Sequence, residues 1–137
     1  MTTTDQQLQA YNIRPTAMRI LVYQFIVSKT SAVSLTVVEN HFEKSDRTTL
    51  YRTLKTFEEK GLVHRIDDGT GIPKYALCQH DHHSEKHSDL HLHFNCNQCG
   101  DTICLTEHQI PQINLPSGFI TEDVNMLVKG VCDKCST

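Results

Sequence analysis

The chain has 137 residues, of which 38% are hydrophobic and 21% are charged, and its formal net charge is −3. This composition excludes a largely disordered chain, and the length suits one domain or two small ones. No apolar run approaches the roughly 18 residues of a membrane-spanning helix, and the first residues lack the features of a signal peptide. We therefore expect a cytoplasmic protein without a membrane partner.

The charge divides unevenly along the chain. Residues 1–77 contain ten Lys and Arg against eight Asp and Glu, whereas residues 78–137 contain three against eight. The first part therefore carries a charge of +2 and the second a charge of −5. A nucleic-acid partner, if there is one, is expected to contact the first part.

Helical periodicity dominates the first part. Between residues 13 and 29 the apolar side chains recur at helical spacing, and Pro15 suits the first turn. The residues concerned are Met18, Leu21, Val22, Phe25 and Ile26. A shorter second helix is predicted at residues 34–42, where Ser34 is a suitable N-cap.

A third helix is predicted between an N-cap at Ser45 or Asp46 and Gly61, which lies just beyond its end. Leu50, Leu54 and Phe57 form one apolar stripe of this helix. Polar and cationic residues lie away from the stripe, mostly in the first half of the helix: Arg47, Thr48, Tyr51, Arg52 and Lys55.

Two short strands are predicted next, LVHRI at residues 62–66 and KYAL at 74–77, joined by the turn-forming DDGTGIP. Three helices followed by a hairpin is the order of a winged helix-turn-helix domain. A recognition helix needs a cationic, hydrogen-bonding face near its N-terminus, and the third helix has one. A solvated helix face without a DNA partner is the alternative interpretation.

The second part is predicted to be rich in strands, with a possible helix at residues 106–113. The strand candidates are HLHFNC, DTICL and the segment FITEDVNMLVKGVC. The polar segment 79–90 lacks apolar periodicity, which is typical of a linker. We therefore predict an α+β protein with a winged-helix domain at 1–78, a His-rich hinge at 79–90 and a second domain at 91–137.

Two C-x-x-C pairs, Cys96 with Cys99 and Cys132 with Cys135, lie in this second domain. Four thiolates favour a tetrahedral zinc ion and leave no open coordination position, so the spacing predicts a structural zinc site. Free buried cysteines or disulfides are the alternative.

His91 and His93 alternate with leucines, so the two imidazoles share one face of a strand and the leucines are expected to face the core. Such a pair needs one or two more ligands to hold an ion. Cys78 ends the preceding hairpin and His64 lies on its partner strand, although a lone strand histidine is more often simply half-buried. One sulfur and three nitrogens suit zinc better than ferrous iron. Cys104 is more often a core residue than a ligand.

Four further histidines lie in the predicted hinge: His80, His82, His83 and His87. Solvated histidines are the usual outcome for such a segment, and His87 is the best candidate for an ordered ligand.

Together these residues resemble the ferric uptake regulator (Fur) family of metal-sensing repressors. The resemblance rests on NIRPTAMR, TTLYRTLKTFEEKGLVHRI, HLHFNCNQCG and the closing CDKC, and it covers nearly the whole chain. It implies an N-terminal winged-helix domain, a C-terminal α/β dimerisation domain with a four-cysteine zinc site, and metal-dependent repression at palindromic operators. Tyr51 and Arg52 would contact the major groove and Arg14 would lie near the minor groove.

The full set of residues expected to contact DNA is Arg14, Arg19, Arg47, Thr48, Thr49, Tyr51, Arg52 and Lys55.

The sensed metal is predicted from the branch of the family. Where the iron and peroxide sensors have a histidine and a carboxylate, this chain has Ala32 and Cys104. The segment HRIDDGTGIPKYALC resembles the zinc uptake regulators (Zur), which implies a regulatory zinc held by His64, Cys78, His91 and His93. A further family site uses side chains that alternate with the histidine pair, and here those positions hold Leu90 and Leu92, so that site is expected to be absent.

We therefore expect a homodimeric, zinc-responsive repressor with two zinc ions per chain, one structural and one regulatory, that binds operator DNA and controls metal uptake genes. An iron- or peroxide-sensing member of the family is the first alternative, and a zinc-binding protein-interaction module is the second. An enzyme is not expected, because no glutamate lies beside the histidine pair to act as a base.

Overall fold

The computed structural model describes residues 3–77, 90–105, 113–122 and 124–137, apart from the side chains of Leu90 and His91. The chain divides into two compact units, Met1–Cys78 and Gln79–Thr137. The predicted hinge at 79–90 lies outside the described residues except for Leu90, which begins a strand.

The described part of the first unit contains helices and a small antiparallel sheet. Its elements are α1 (Thr3–Ala10), α2 (Ala17–Val27), β1 (Val33–Ser34), α3 (Leu35–His41), α4 (Arg47–Glu59), β2 (His64–Ile66) and β3 (Lys74–Ala76). The sheet order is β1-β3-β2, with Tyr75 paired to Val33 on one side and to Arg65 on the other. The three predicted helices and the predicted hairpin are present in the expected order.

Helix α1 was not among the predicted elements, although its C-terminal signal is readable. Asn12 has a φ of 60°, and the N–H groups of Asn12 and Ile13 donate to the carbonyl groups of Gln9 and Leu8 at 2.9 Å. This is a Schellman motif with asparagine in the left-handed position, which asparagine tolerates better than most residues. A single buried leucine, Leu8, anchors the helix, and one residue is too little for a periodicity argument.

The other helices begin and end at the expected kinds of residue. Thr16 and Ser34 are the N-caps of α2 and α3, so Pro15 precedes the cap rather than lying in the first turn. Helix α4 has Asp46 at its N-cap and ends in a second Schellman motif, in which Gly61 has a φ of 82°. The Leu62 N–H donates to the Phe57 carbonyl at 2.9 Å and directs the chain into the β2–β3 hairpin, which is the wing of this unit.

The core of the first unit is built from the apolar faces of all its described helices. Its fully buried side chains include Leu8, Val22, Val38, Leu50, Leu54 and Phe57. The predicted stripe of α4 is therefore buried, and its opposite face is left for solvent or a partner.

In the second unit the described strands are β4 (Leu90–Cys96), β5 (Thr102–Cys104) and β6 (Val124–Gly130). The sheet order is β5-β4-β6, with β5 antiparallel and β6 parallel to the central strand. The three predicted strands are present. The possible helix at 106–113 lies outside the described residues, apart from Ile113.

The buried face of this sheet is polar, contrary to the expected division of β4 into a leucine face and an open histidine face. His93 is 2% exposed, whereas Leu92 is only half-buried. Asn95 and Thr102, also buried, lie on the same face as His93, and the Asn95 Nδ2 donates to the Thr102 Oγ1 at 3.0 Å. Buried polar groups of this kind are kept only where they find partners, so this face is built for specific contacts.

Within the part of the chain that the structure describes, no helix combines the length and apolarity needed to cross a bilayer.

Candidate metal centres and nucleic-acid interface

The four predicted cysteines meet in the second unit. The Sγ atoms of Cys96, Cys99, Cys132 and Cys135 all lie within 4.8 Å of one another. The Sγ atoms of Cys99 and Cys132 are 3.8 Å apart, almost twice the length of a disulfide bond, and the four cysteines are free. Four sulfurs placed about 2.3 Å from a zinc ion would be roughly 3.8 Å apart, so the Cys99–Cys132 distance matches that of two ligands of a tetrahedral zinc site.

Backbone amides prepare one of these sulfurs to be a thiolate. The N–H groups of Gln98, Cys99 and Cys132 donate to the Cys96 Sγ, each at 3.4 Å. The amide of Cys99, and next that of Cys132, lower the pKa of Cys96 to about 6. Charged acceptors gain most from such donors, so this thiol ionises readily.

The opposite shift at Cys135 indicates what the cluster needs. A hydrogen bond with the Cys132 thiol, followed by burial, raises the pKa of Cys135 to about 12. Crowded sulfurs can all become thiolates only when a cation compensates their charge. The geometry and the sulfur-only donor set therefore fit a structural zinc ion.

A second pair of possible ligands lies in the same sheet. His93 on β4 is the direct partner of Cys104 on β5, and a His93 ring nitrogen and the Cys104 Sγ lie within 4.8 Å. Directly opposed residues of antiparallel strands share one face of the sheet. From sequence, Cys104 was considered more a core residue than a ligand. Cys104 lies opposite His93 because of the register between β4 and β5, and the spacing of these residues in the sequence does not determine that register.

The remaining predicted regulatory ligands are described only in part. His64 lies on β2 of the first unit and is half-buried. His91 lies on β4, but its side chain is outside the described residues, as is Cys78. The hinge histidines, 80 to 87, also lie outside them.

Helix α4 divides cleanly into a buried and an exposed face. Leu50, Leu54 and Phe57 are 0% exposed. The residues expected to contact DNA are all exposed: Arg47, Thr48, Thr49, Tyr51, Arg52 and Lys55. This face has the cations and hydrogen-bonding groups that phosphate and base contacts require.

One of these cations already has an acidic partner. The Arg47 Nη1 donates to the Glu39 Oε1 of α3 at 2.7 Å, and the two side chains are 51% and 34% exposed. An exposed ion pair of this kind adds little to stability, but it reduces the positive potential at the start of α4.

The predicted contacts outside α4 lie near the start of α2. Arg14 is exposed and Arg19 is half-buried. The Arg19 Nη1 donates to the Arg14 carbonyl oxygen at 2.9 Å, and the Thr16 Oγ1 accepts from the Arg19 N–H at 3.3 Å. The segment that contains Arg14 is therefore held in place by the side chains of Thr16 and Arg19.

Comparison with known proteins decides the family. A sequence model described as the ferric uptake regulator family matches residues 11–127. The chain belongs to the ferric uptake regulator family. The matched range includes α4, the wing, β4 and β5, and the first C-x-x-C pair.

Two relatives differ in the metal that their names give. The chain is 29% identical over 91 residues to a ferric uptake regulation protein of Bordetella parapertussis, covering 64% of this chain and 60% of the relative. It is 29% identical over 92 residues to a zinc uptake regulation protein of Mycobacterium tuberculosis, covering 64% and 65%. The matched part of this Fur-family chain thus spans less than two thirds of the length of each relative. The two sequence identities are equal, so they do not decide between an iron-sensing and a zinc-sensing relative.

A solved structure described as a zinc uptake regulator complexed with zinc and DNA has a TM-score of 0.64 to this chain. It is 21% identical and covers 99% of this chain and 97% of its own. This likeness shows that the Fur-family chain has the fold of that regulator, in agreement with the fold class predicted from its sequence.

Proposed function

We propose that this Fur-family protein is a zinc-responsive transcriptional repressor that binds palindromic operator DNA as a metal-loaded homodimer and controls metal uptake genes. The observation that carries the proposal is the exposed cationic face of α4 in a winged-helix unit, on a chain whose other unit gathers four cysteines. A cytoplasmic location follows from this role.

The four cysteines are assigned to the constitutive ion. Cys96 ends β4 and Cys99 lies in the turn after it, whereas Cys132 and Cys135 follow β6, so a common ion would tie the chain after the C-terminal strand to the central strand of the sheet. Zinc supplies a closed, redox-inactive tetrahedral crosslink at such a site. These cysteines contribute to folding rather than to sensing.

The regulatory zinc is assigned to His64, Cys78, His91 and His93. Imidazole and thiolate donors favour zinc over the harder ions that carboxylate-rich sites select. The place of Cys104 against His93 supports a site at this end of β4 and makes Cys104 the alternative source of the sulfur ligand. The ligands belong to both units, so binding would favour one relative arrangement of them.

Coupling between metal and DNA follows from linkage. If the zinc-loaded arrangement is also the one that DNA selects, each ligand raises the affinity for the other by the same factor. In a two-fold dimer that arrangement would set the two copies of α4 about one DNA turn, roughly 34 Å, apart.

The test compares operator binding by protein that has only its four-cysteine site filled with binding after zinc is added. We expect affinity to rise at least tenfold with zinc, a coupling of about 1.4 kcal/mol. Equal affinity with and without added zinc would refute the proposed switch.

The second candidate is an iron- or peroxide-responsive repressor, which the equal identity to a ferric uptake regulation protein supports. Titration with ferrous iron under anaerobic conditions distinguishes the two. Under the zinc proposal Cys78→Ser removes the metal response, and retention of the response by Cys78→Ser together with its loss in Cys104→Ser would assign the sulfur ligand to Cys104. A response to ferrous iron that survives both substitutions would favour iron sensing.

A further inference from the structure

A surface cavity of about 400 Å³ lies between the start of α2 and the exposed face of α4. Its lining includes three arginines, Arg14, Arg19 and Arg52, together with four threonines and Met18. Among the described residues, no carboxylate lines it. The cavity is therefore rich in cationic donors.

None of these three guanidinium groups has an acidic partner among the ion pairs of the described residues. Those ion pairs engage Arg47 and Lys74 instead. An anion in the cavity would supply the three arginines with such a partner of negative charge. Arginine also presents several N–H groups in a planar fork that matches the oxygens of a phosphate group.

Hydrogen bonds prepare the cavity for a ligand. One Arg19 N–H is used on the Arg14 carbonyl oxygen, which fixes the loop before α2 and leaves further donors on the same guanidinium. The hydroxyl groups of Thr49 and Thr53 already donate, to the Asp46 carboxylate at 3.4 Å and to the Thr49 carbonyl oxygen at 2.9 Å, so the arginines are the main donors left for an anion. Preorganised donors bind an anion with less loss of side-chain entropy.

The position of the cavity indicates what it faces. The inference rests on the proposed function and on the family resemblance, which implies that Arg52 contacts the major groove and that Arg14 lies near the minor groove. In duplex DNA the two grooves are separated by a sugar–phosphate backbone. A cavity that lies between these two arginines must then face that backbone.

We propose that this cavity binds a single phosphate group of the DNA backbone. Arg19, whose guanidinium also donates to the Arg14 carbonyl oxygen, donates to the phosphate and positions Arg14. Its role is independent of sequence, because phosphate contacts fix the register of a protein on DNA without reading bases.

The experiment uses the zinc-loaded, full-length protein and a duplex that this protein selects from a random pool. A series of duplexes replaces one phosphate at a time by an uncharged methylphosphonate. In the wild type we expect one position in each half-site to cost about tenfold in affinity. In Arg19→Gln the cost at that position should fall to about threefold or less, because only Arg14 and Arg52 remain, while the other positions cost what they cost in the wild type.

Salt dependence supplies the second readout. Arg19→Gln should lower the slope of log affinity against log salt by about 0.9 for each monomer bound, as for one lost phosphate contact. Lys60→Gln, an exposed cation at the other end of α4, is the matched control for loss of one charge and should leave the methylphosphonate pattern unchanged. Arg19→Lys should restore most of the slope but only part of the affinity, because it keeps the charge and loses the fork.

The outcomes separate this inference from the proposed function. If the wild type selects duplexes and Arg19→Gln loses the same factor on every modified duplex, the cavity proposal is overturned and the proposed function survives. If the wild type selects no duplex, the proposed function fails and inorganic phosphate becomes the probe, titrated at constant ionic strength. Changes in the NMR chemical shifts of the Thr49 and Arg52 amides on addition of phosphate, abolished in Arg19→Gln, would then support a phosphate cavity that serves a free ligand, and their absence in the wild type would overturn it.

Discussion

The Arg47–Glu39 pair sets the charge at the beginning of α4. Its 2.7 Å contact is exposed, so its contribution to the free energy of unfolding is expected to be at most about 1 kcal/mol. The pair is expected to affect the affinity for a polyanionic partner more than it affects stability, because Glu39 both occupies the Arg47 guanidinium and adds a negative charge near the phosphates.

Replacing Glu39 by Gln should therefore tighten DNA binding while stability stays within about 0.5 kcal/mol. We expect roughly threefold higher affinity at about 50 mM salt and little difference at about 200 mM, where the contact to phosphate is weakened by counterions. Fluorescence anisotropy of a labelled duplex at both salt concentrations measures this. Glu59→Gln, at the far end of the helix, is the control, and an equal gain in that variant would show that only net charge matters.

His93 and Cys104 illustrate what residue patterns could and could not predict about the site. The alternation of His91 and His93 predicted a strand with co-facial imidazoles, and the strand is present. It did not predict that His93 would be buried, nor that Cys104 would lie opposite it. Burial depends on which face of the sheet is covered, and the pairing depends on the register between β4 and β5 across the first C-x-x-C turn.

Helix α4 combines a folding role and a binding role on opposite faces. The period of 3.6 residues separates Leu54, which is 0% exposed, from Tyr51, which is 46% exposed. Because period and polarity agree along the whole helix, its bounds and both faces were predictable, whereas α1, with one buried leucine, was not.

Substitutions on the two faces of α4 should affect different properties, stability on the buried face and DNA binding on the exposed face. Leu54→Ala should lower the free energy of unfolding by about 2–5 kcal/mol, because it leaves a cavity in the core. Tyr51→Ala should change stability by less than about 1 kcal/mol and should weaken DNA binding by at least tenfold, since an exposed side chain contributes mainly through a partner. Urea denaturation and anisotropy titration measure the two quantities. Strong destabilisation by Tyr51→Ala would contradict the division into faces.

At the scale of the whole molecule, the two units differ in what stabilises them. The first has a continuous apolar core, whereas the described face of the second sheet buries His93, Asn95 and Thr102. The stability of a sheet with so polar a buried face depends less on apolar burial and more on crosslinks, and the four-cysteine cluster could provide such a crosslink.

Removal of metal with a strong chelator should therefore affect the units unequally. We expect amides of β6 and of both C-x-x-C turns to lose hydrogen-exchange protection, while amides of α4 keep theirs. Hydrogen exchange followed by mass spectrometry on the full-length chain measures this. Cys96→Ser should reproduce the effect and Cys104→Ser should not, and uniform loss of protection in both units would contradict it.

By itself, the sequence determined the local structure of this protein: the faces of α4, the wing, the strands of the second unit and the two C-x-x-C turns. These follow from short-range rules, namely side-chain periodicity, capping residues and the reach of C-x-x-C turns. The tertiary structure alone decided that His93 is buried beside Cys104, that Glu39 occupies Arg47, and that three arginines from two helices and a loop line one cavity. Such juxtapositions depend on strand register and helix packing, which join residues distant in the chain and leave no periodic trace in it.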